Sequence, residues 1–464
     1  MNEKRTKKSK DQQSQIASIK RNLSAEQLLR TLSSSKISAV ITRLMPAHRN
    51  RSYSPTQTLA MFIQQALNAD KSCKNVVNQY CVQRILSKKP IISYNTSAYC
   101  RARKKLPVAM IQALTNTFAE LMHAQESTEL LWRGRRTLLV DGSTIAMEDT
   151  QANQSQYPQQ RRQKPGLGQP IARILGIFSL SNGAVIESNI CPFRGKRASE
   201  LILFREKLDC LRSGDVVVAD TYFSSYFMMA ELDRRGVDIV TPIHQARKVT
   251  FKKGQKLGFK DTVVTWDKPA RPKWMTKEQH ASYPSKFKVR QIQHKNKCLI
   301  TTVREPQNAS KREIFELYKL RWDVELNLRN IKCTLGMDEL TCKTPEMIEK
   351  EFAIYLLAYN LIRLIMLSAA ASEELHPRTL SFKNSLQLWV QFQAISGNTS
   401  IAAIGPMKLA LLMECICSTR VAQRSGRIKP RKVKRRPKPI GLLMERRELA
   451  RAKIRKHGHP KRRK

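Results

Sequence analysis

The chain has 464 residues, enough for roughly two to four structural units around a large buried core. Its 84 Lys and Arg against 37 Asp and Glu give a formal charge of +47. That excess fits a polyanionic partner, because each cation seated on a phosphate releases condensed counterions. Ten cysteines without any CxxC spacing argue against a zinc ribbon or a disulfide framework and fit reduced thiols in a cytoplasmic compartment.

Residues 1–21 are basic and polar and are expected to form a disordered arm. Residues 22–130 read as a helical DNA-binding region. Ser24 with Gln27, and Ser54-Pro55 with Gln57, have the spacing of capped helix starts. The short helix SAYCRARKKL, 97–106, carries four cations near Tyr94 and Tyr99 and is a candidate DNA contact.

At residue 137 the pattern changes. TLLVDGS reads as a buried strand running into Asp141. ARILGIFSL and AVIESNI follow as a hairpin about Asn182-Gly183, the strongest short turn signal. ASELILFREKLDCL has helical periodicity, GDVVVAD is a strand ending at Asp220, residues 225–236 are helical, and VDIVTPI is a further strand. Over 246–304 the segments VTF, TVVTW, KVRQIQH and CLITTV look like short antiparallel strands.

Ser310 and Glu313 have capping-box spacing and open the helix that contains YKLRWDVELNLRNIK. On a continuous helix, Tyr318, Arg321, Glu325, Arg329 and Lys332 fall within one wedge of roughly 80°, beside an apolar stripe of Leu317, Leu320, Val324, Leu328 and Ile331. The segment FAIYLLAYNLIRLIMLSAAA, 352–371, is apolar enough to raise a membrane question. Asn360 and Arg363 at its centre favour a buried core helix and no membrane partner. Residues 376–424 read as a helical C-terminal region. The tail 425–464 carries 18 Lys or Arg against two Glu and reads as a nucleic-acid arm.

Asp141, Asp220 and Glu325 are the candidate catalytic and metal-binding residues. Two strand-end aspartates met by a helix glutamate make an all-oxygen site suited to Mg²⁺, with Mn²⁺ as a substitute. Two such ions about 4 Å apart activate a nucleophile and stabilise the leaving oxygen of an in-line phosphoryl displacement. Neighbouring cations would then position the DNA backbone rather than read its bases.

These residues resemble a known pattern. Tyr318, Arg321, Glu325 and Lys332 match the Tyr-x2-Arg-x3-Glu-x6-Lys signature of the DDE transposases of the insertion sequence 4 family, and LLVDGST and VVADTYFSSY resemble its two aspartate motifs. The resemblance covers about residues 90–370. It implies an α/β fold: a ribonuclease H-like mixed sheet flanked by helices, with its first part at 131–245. A mostly β insertion at 246–304 and a catalytic and packing helix at 305–375 would follow.

The resemblance further implies that Asp141, Asp220 and Glu325 hold the metal and that Tyr318, Arg321 and Lys332 contact phosphates of the transposon ends. A tryptophan of the β region would support a flipped base. Trp274, in a polar loop, is favoured over Trp266, in a strand. The expected activity is Mg²⁺-dependent cleavage of the ends of an insertion sequence and joining of their 3′-OH groups to target DNA. It would take place in the bacterial cytoplasm at the nucleoid, with a homodimer in the synaptic complex. Thr221 stands where many relatives carry Arg. A ribonuclease H-like nuclease without strand transfer and an inactive basic DNA-binding relative are the alternatives.

Overall fold

The computed structural model describes residues 2–47, 52–162, 164, 166–195, 198–396, 405–421 and 444–458. Six helices come first: α1 (Asn2–Leu32), α2 (Ser35–Leu44), α3 (Pro55–Leu67), α4 (Cys73–Leu86), α5 (Ser97–Lys105) and α6 (Val108–His123). Ser54 caps α3 by accepting from the Gln57 amide, with Pro55 in the first turn. The expected start at Ser24 is different: α1 runs straight through it, and through the stretch read as a disordered arm. That stretch has no Pro or Gly to interrupt a helix. In α5, Tyr99 and Arg103 turn into the core, where both donate to Gln65 Oε1 at 2.9 and 3.2 Å. Arg101, Lys104 and Lys105 stay exposed.

The sheet begins with β1 (Thr137–Met147), followed by α7 (Gln151–Gln156), β2 (Ile171–Ser179), β3 (Val185–Pro192), α8 (Glu200–Arg205), β4 (Val216–Ala219), α9 (Tyr226–Arg234) and β5 (Asp238–Pro242). Its order is β3-β2-β1-β4-β5. β2 is antiparallel to both β1 and β3, whereas β1, β4 and β5 run parallel. This is the ribonuclease H-like mixed sheet. Gly183 supplies the positive φ, +83°, that the hairpin turn needs. The helix expected over 198–211 is shorter: after α8 the chain unwinds at Lys207, which swings Leu208 into the core.

β6 (Gln255–Gly258), β7 (Asp261–Asp267), the short α10 (Lys277–Ala281), β8 (Lys286–His294) and β9 (Lys297–Thr301) come next. VTF forms no strand; the first strand of this region lies at β6 instead. These strands extend the same sheet, because β9 pairs antiparallel with β5 and the order continues β9-β8-β7-β6. Inside the extension Arg290, 1 % exposed, meets Asp261 through two charge-assisted bonds of 2.8 and 2.6 Å and donates to the Ala309 carbonyl at 2.7 Å.

The chain then forms α11 (Lys311–Lys319), α12 (Trp322–Arg329), β10 (Glu339–Leu340), which pairs with the end of β1, and α13 (Pro345–Ser372). The last elements are α14 (Phe382–Ile395), α15 (Pro406–Cys417) and α16 (Arg447–His457). Of the basic tail, residues 425–443 and 459–464 lie outside the described residues.

α13 is long and apolar enough to cross a membrane, and its whole apolar window is buried within the protein. It packs against α1, α3, α6, α14, α15 and β3. Its central Asn360 and Arg363 are hydrogen-bonded within the protein. Asn360 accepts from the Val185 amide at 2.8 Å and donates to the carbonyls of Val185 and Thr115 at 2.9 and 3.1 Å. Arg363 donates to the Tyr359 hydroxyl and to Asn327 Oδ1 on α12.

Asp261→Ala leaves the Arg290 guanidinium buried without its counter-charge. We expect a loss of about 3–5 kcal/mol in denaturant unfolding; a loss below about 1 kcal/mol would show that water or another acid replaces the pair.

Candidate active site

Asp141 and Asp220 are neighbours because of strand register. Val140 pairs with Ala219 in the parallel β1–β4 ladder, so the next residue on each chain is an aspartate. Adjacent strands lie about 4.8 Å apart, and equivalent residues of a parallel pair share a face. Asp220 caps a 3-10 turn over Thr221–Phe223: its Oδ1 accepts from the Tyr222 amide at 2.9 Å, and its carbonyl accepts from the Thr241 hydroxyl at 2.6 Å. Thr221 thus lies in the turn that seats Asp220.

The late helix is not continuous. Ser310 and Glu313 form the expected capping box on α11. Between α11 and α12 the amides of Leu320, Arg321, Asp323 and Val324 bond three residues back, which tightens the turn. Leu320 therefore leaves the expected apolar stripe and is 45 % exposed, whereas Leu317, Val324, Leu328 and Ile331 are buried. A π-helical turn over Asn330–Thr334 follows α12. The wedge expected for a regular helix is replaced by three short pieces that aim Tyr318, Arg321 and Lys332 separately.

Arg321 joins the acids. Its Nη2 donates to Glu325 Oε1 at 2.7 Å, and its Nη1 stands 3.5 Å from Asp141 Oδ2. Burial opposes the charge on Arg321, but the Glu325 bond, Tyr318 and Asp141 hold the guanidinium above its ordinary pKa. Asp141 is pushed up to about 6, first by burial and then by the Asp220 and Glu200 charges, against the Gly142 amide and Arg321. The Tyr318 ring is buried, with Lys297 Nζ 4.6 Å from its centroid, and its phenol lies close to Arg321. Burial raises that phenol too. Lys332 docks on β1, donating to Ser143 Oγ at 3.0 Å and the Thr144 carbonyl at 2.7 Å. Asn327 Oδ1 accepts from Arg363 and Arg378, which fixes α12 to the core.

The expected convergence of three carboxylates on one cation takes a different form here. Among the described residues, no three His, Cys, Asp or Glu side chains sit at metal-holding spacing. Arg321 instead bridges Asp141 and Glu325. The donor chemistry still suits a hard divalent cation: the acids are all oxygen donors, and burial disfavours the bare charge of Asp141, which a bound cation would offset.

The two candidate tryptophans differ in exposure. Trp266 is 7 % exposed within β7, under the Arg247 guanidinium at 3.7 Å. Trp274 is 52 % exposed, with Arg205 3.8 Å from its ring centroid. Sequence reading passed over Trp322, 58 % exposed beside Arg321, and Tyr222, 50 % exposed beside Asp220. Their positions inside the two motifs were the available signal. It also passed over Glu200, which no spacing marks.

Residues 132–361 match the transposase DDE domain family. The transposase InsG of insertion sequence element IS4 from Escherichia coli (strain K12) is 24 % identical over 383 residues, covering 80 % of this chain and 83 % of that protein. Together with the sheet and its register-paired aspartates, these matches define a transposase of the DDE class. Over four fifths of its length the chain is similar to that insertion sequence element IS4 transposase, and it shares the DDE domain of those enzymes. Such enzymes cleave and join DNA, so DNA is its partner, and the family uses divalent metal ions.

Glu313 both caps α11 and meets Arg133 at 2.5 Å. The Ser310 hydroxyl and amide, then Arg133, lower its carboxyl to about 2 from an ordinary 4.5. Its folded pKa is depressed, so its stabilisation is complete above pH 4.5 and disappears as pH falls towards 2. Glu313→Ala should lower the thermal midpoint at pH 7, with a gap from the parent that narrows below pH 4.5; a gap unchanged at pH 3 would remove the carboxylate from the account.

Proposed function

We propose that the chain binds the ends of its insertion sequence, cleaves the DNA there, and joins the freed 3′-OH ends to target DNA by Mg²⁺-dependent phosphoryl transfer. The register that sets Asp141 beside Asp220, with Glu325 brought to the same guanidinium, is the observation that carries this reading. Asp141, Asp220 and Glu325 would hold the cations, which supply nucleophile activation and charge neutralisation at the leaving oxygen when bound. In cleavage, a water oxygen bonds to phosphorus as the 3′-oxygen leaves with the pair of electrons and takes up a proton. In joining, that 3′-OH attacks a target phosphorus and a target oxygen leaves.

Arg321 would turn one or both of its donor edges from carboxylate to phosphate as the cation takes over the acids. Its planar fork suits either partner. Lys332 spends two of its three donors on β1 and keeps one for a phosphate oxygen. Tyr318, held against Arg321, would complete the phosphate contacts.

Residues 22–130 would contribute DNA contacts through Arg101, Lys104 and Lys105 of α5, and the basic tail would add nonspecific affinity. Trp274 is the preferred residue for stacking on a flipped base, because Trp266 is enclosed. Synapsis of two ends in a homodimer, in the bacterial cytoplasm, completes the reading.

Asp141→Ala, Asp220→Ala and Glu325→Ala should each abolish cleavage of a labelled transposon end while leaving DNA binding largely intact. Nicking by Glu325→Ala at the parental rate would sink the assignment. Strand-transfer products from a pre-cleaved end separate a transposase from a nuclease that only cuts. Lys332→Ala should weaken end binding similarly across base sequences and reduce the slope of log affinity against log salt by about one. A sequence-selective loss would mean that Lys332 reads bases.

A further inference from the structure

Gly142 follows Asp141 on β1, and its missing side chain is occupied space. A Cβ built there would lie 2.2 Å from Glu200 Cδ, 2.4 Å from Cγ and 2.5 Å from Oε1. Glu200 therefore lies against the strand backbone one residue from Asp141. It is the first residue of α8, which packs on β2 and β3. Arg173 of β2, paired with Thr144 of β1, holds Glu200 Oε1 at 2.5 Å, and its guanidinium lies 5.0 Å from the Phe193 ring centroid. Both members of this ion pair are largely enclosed, at 23 % and 18 % side-chain exposure.

The preceding residue reaches the other aspartate. The Ser199 and Tyr222 hydroxyls are 2.9 Å apart, and the Tyr222 amide donates to Asp220 Oδ1. The start of α8 thus touches the support of both aspartates at once.

We propose that Glu200 is a fourth acidic residue of the site: a positioning residue that seats Asp141 by packing on Gly142 and whose charge strengthens the hold on a divalent cation. This rests on the cation-binding role proposed above for Asp141 and Asp220. Glycine at 142 is then required by the close approach of the carboxyl. Arg173 keeps that carboxyl from swinging away into solvent.

The test is Mn²⁺ binding to the full-length protein, followed by the electron paramagnetic resonance signal of the free ion. Glu200→Gln preserves shape and removes charge, and should weaken Mn²⁺ binding about tenfold, as loss of a supporting residue at a metal site does. Gly142→Ala should weaken it comparably, because the methyl group must displace the Glu200 carboxyl. The double variant should be little worse than either single one, since both remove the same contact. Glu200→Asp, which restores the charge on a shorter stem, should recover part of the affinity. In cleavage, the Mg²⁺ concentration for half-maximal rate should rise more than the saturated rate falls, a split that a purely structural defect does not produce.

Asp141→Ala serves as the control. If it loses Mn²⁺ binding while Glu200→Gln binds within twofold of the parent, this inference fails and the cation-site reading stands. If Asp141→Ala binds Mn²⁺ like the parent, the cation-site reading itself fails. Additive losses from Gly142→Ala and Glu200→Gln would also overturn the inference, because the two changes would then act separately.

Discussion

The arrangement of the site depends on one guanidinium placed between two acids. Arg321 touches Glu325 on its own helix and stands beside Asp141 on the central strand, so it fixes the distance between helix and sheet. Without a cation of some kind, Asp141 would face the charges of Asp220 and Glu200 in a partly enclosed space. An arginine meets that need without losing its charge, and its flat fork can serve two carboxylates at once. The surrounding contacts keep this bridge in place. Lys332 ties the chain after α12 to β1, and Asn327 receives the buried Arg363 and the half-buried Arg378 from behind.

These arginines show how a strongly basic chain keeps cations away from water. Arg290 has a carboxylate partner, but Arg363 and Arg378 are held by neutral groups: the Asn327 amide, the Tyr359 hydroxyl and the carbonyls of Ser179 and Leu180. Burial, then the Arg363 charge, lowers Arg378 to about 10. It remains protonated at neutral pH. The same network joins the β2–β3 turn, α13 and α12, so packing at the centre of the protein is transmitted to the helix that bears Glu325.

Much of this was legible where the signal is local. The Asn182-Gly183 hairpin, the Ser310–Glu313 cap, the strand that ends at Asp220 and the buried character of residues 352–371 each follow from a few adjacent residues, whereas the strand expected to end at Asp141 continues to Met147. The departures arise where distant contacts decide. A regular helix was the natural reading of residues 318–332, but docking of Arg321 and Lys332 on β1 accompanies a tightened turn before α12 and a wider one after it. Leu320 obeys the sequence period and is nevertheless exposed. Glu200 could not be singled out because its approach to the site depends on the absent side chain of Gly142, far away in sequence on β1. The strands of 246–304 were visible, but their pairing with β5 depends on an edge that only the assembled sheet presents.

That pairing makes the β region an integral wall of the fold. Val240, Thr241 and Pro242 of β5 have Thr301, Ile300 and Leu299 as partners in β9. Excising the region as a cassette would strip β5 of its outer neighbour and leave a raw edge beside a hydrophobic core, the kind of edge on which chains aggregate. Variation in this lineage therefore meets a mechanical limit. The outermost strand β6 and the loop bearing Trp274 can be remodelled, but β9 must be kept or replaced by another strand that closes the sheet.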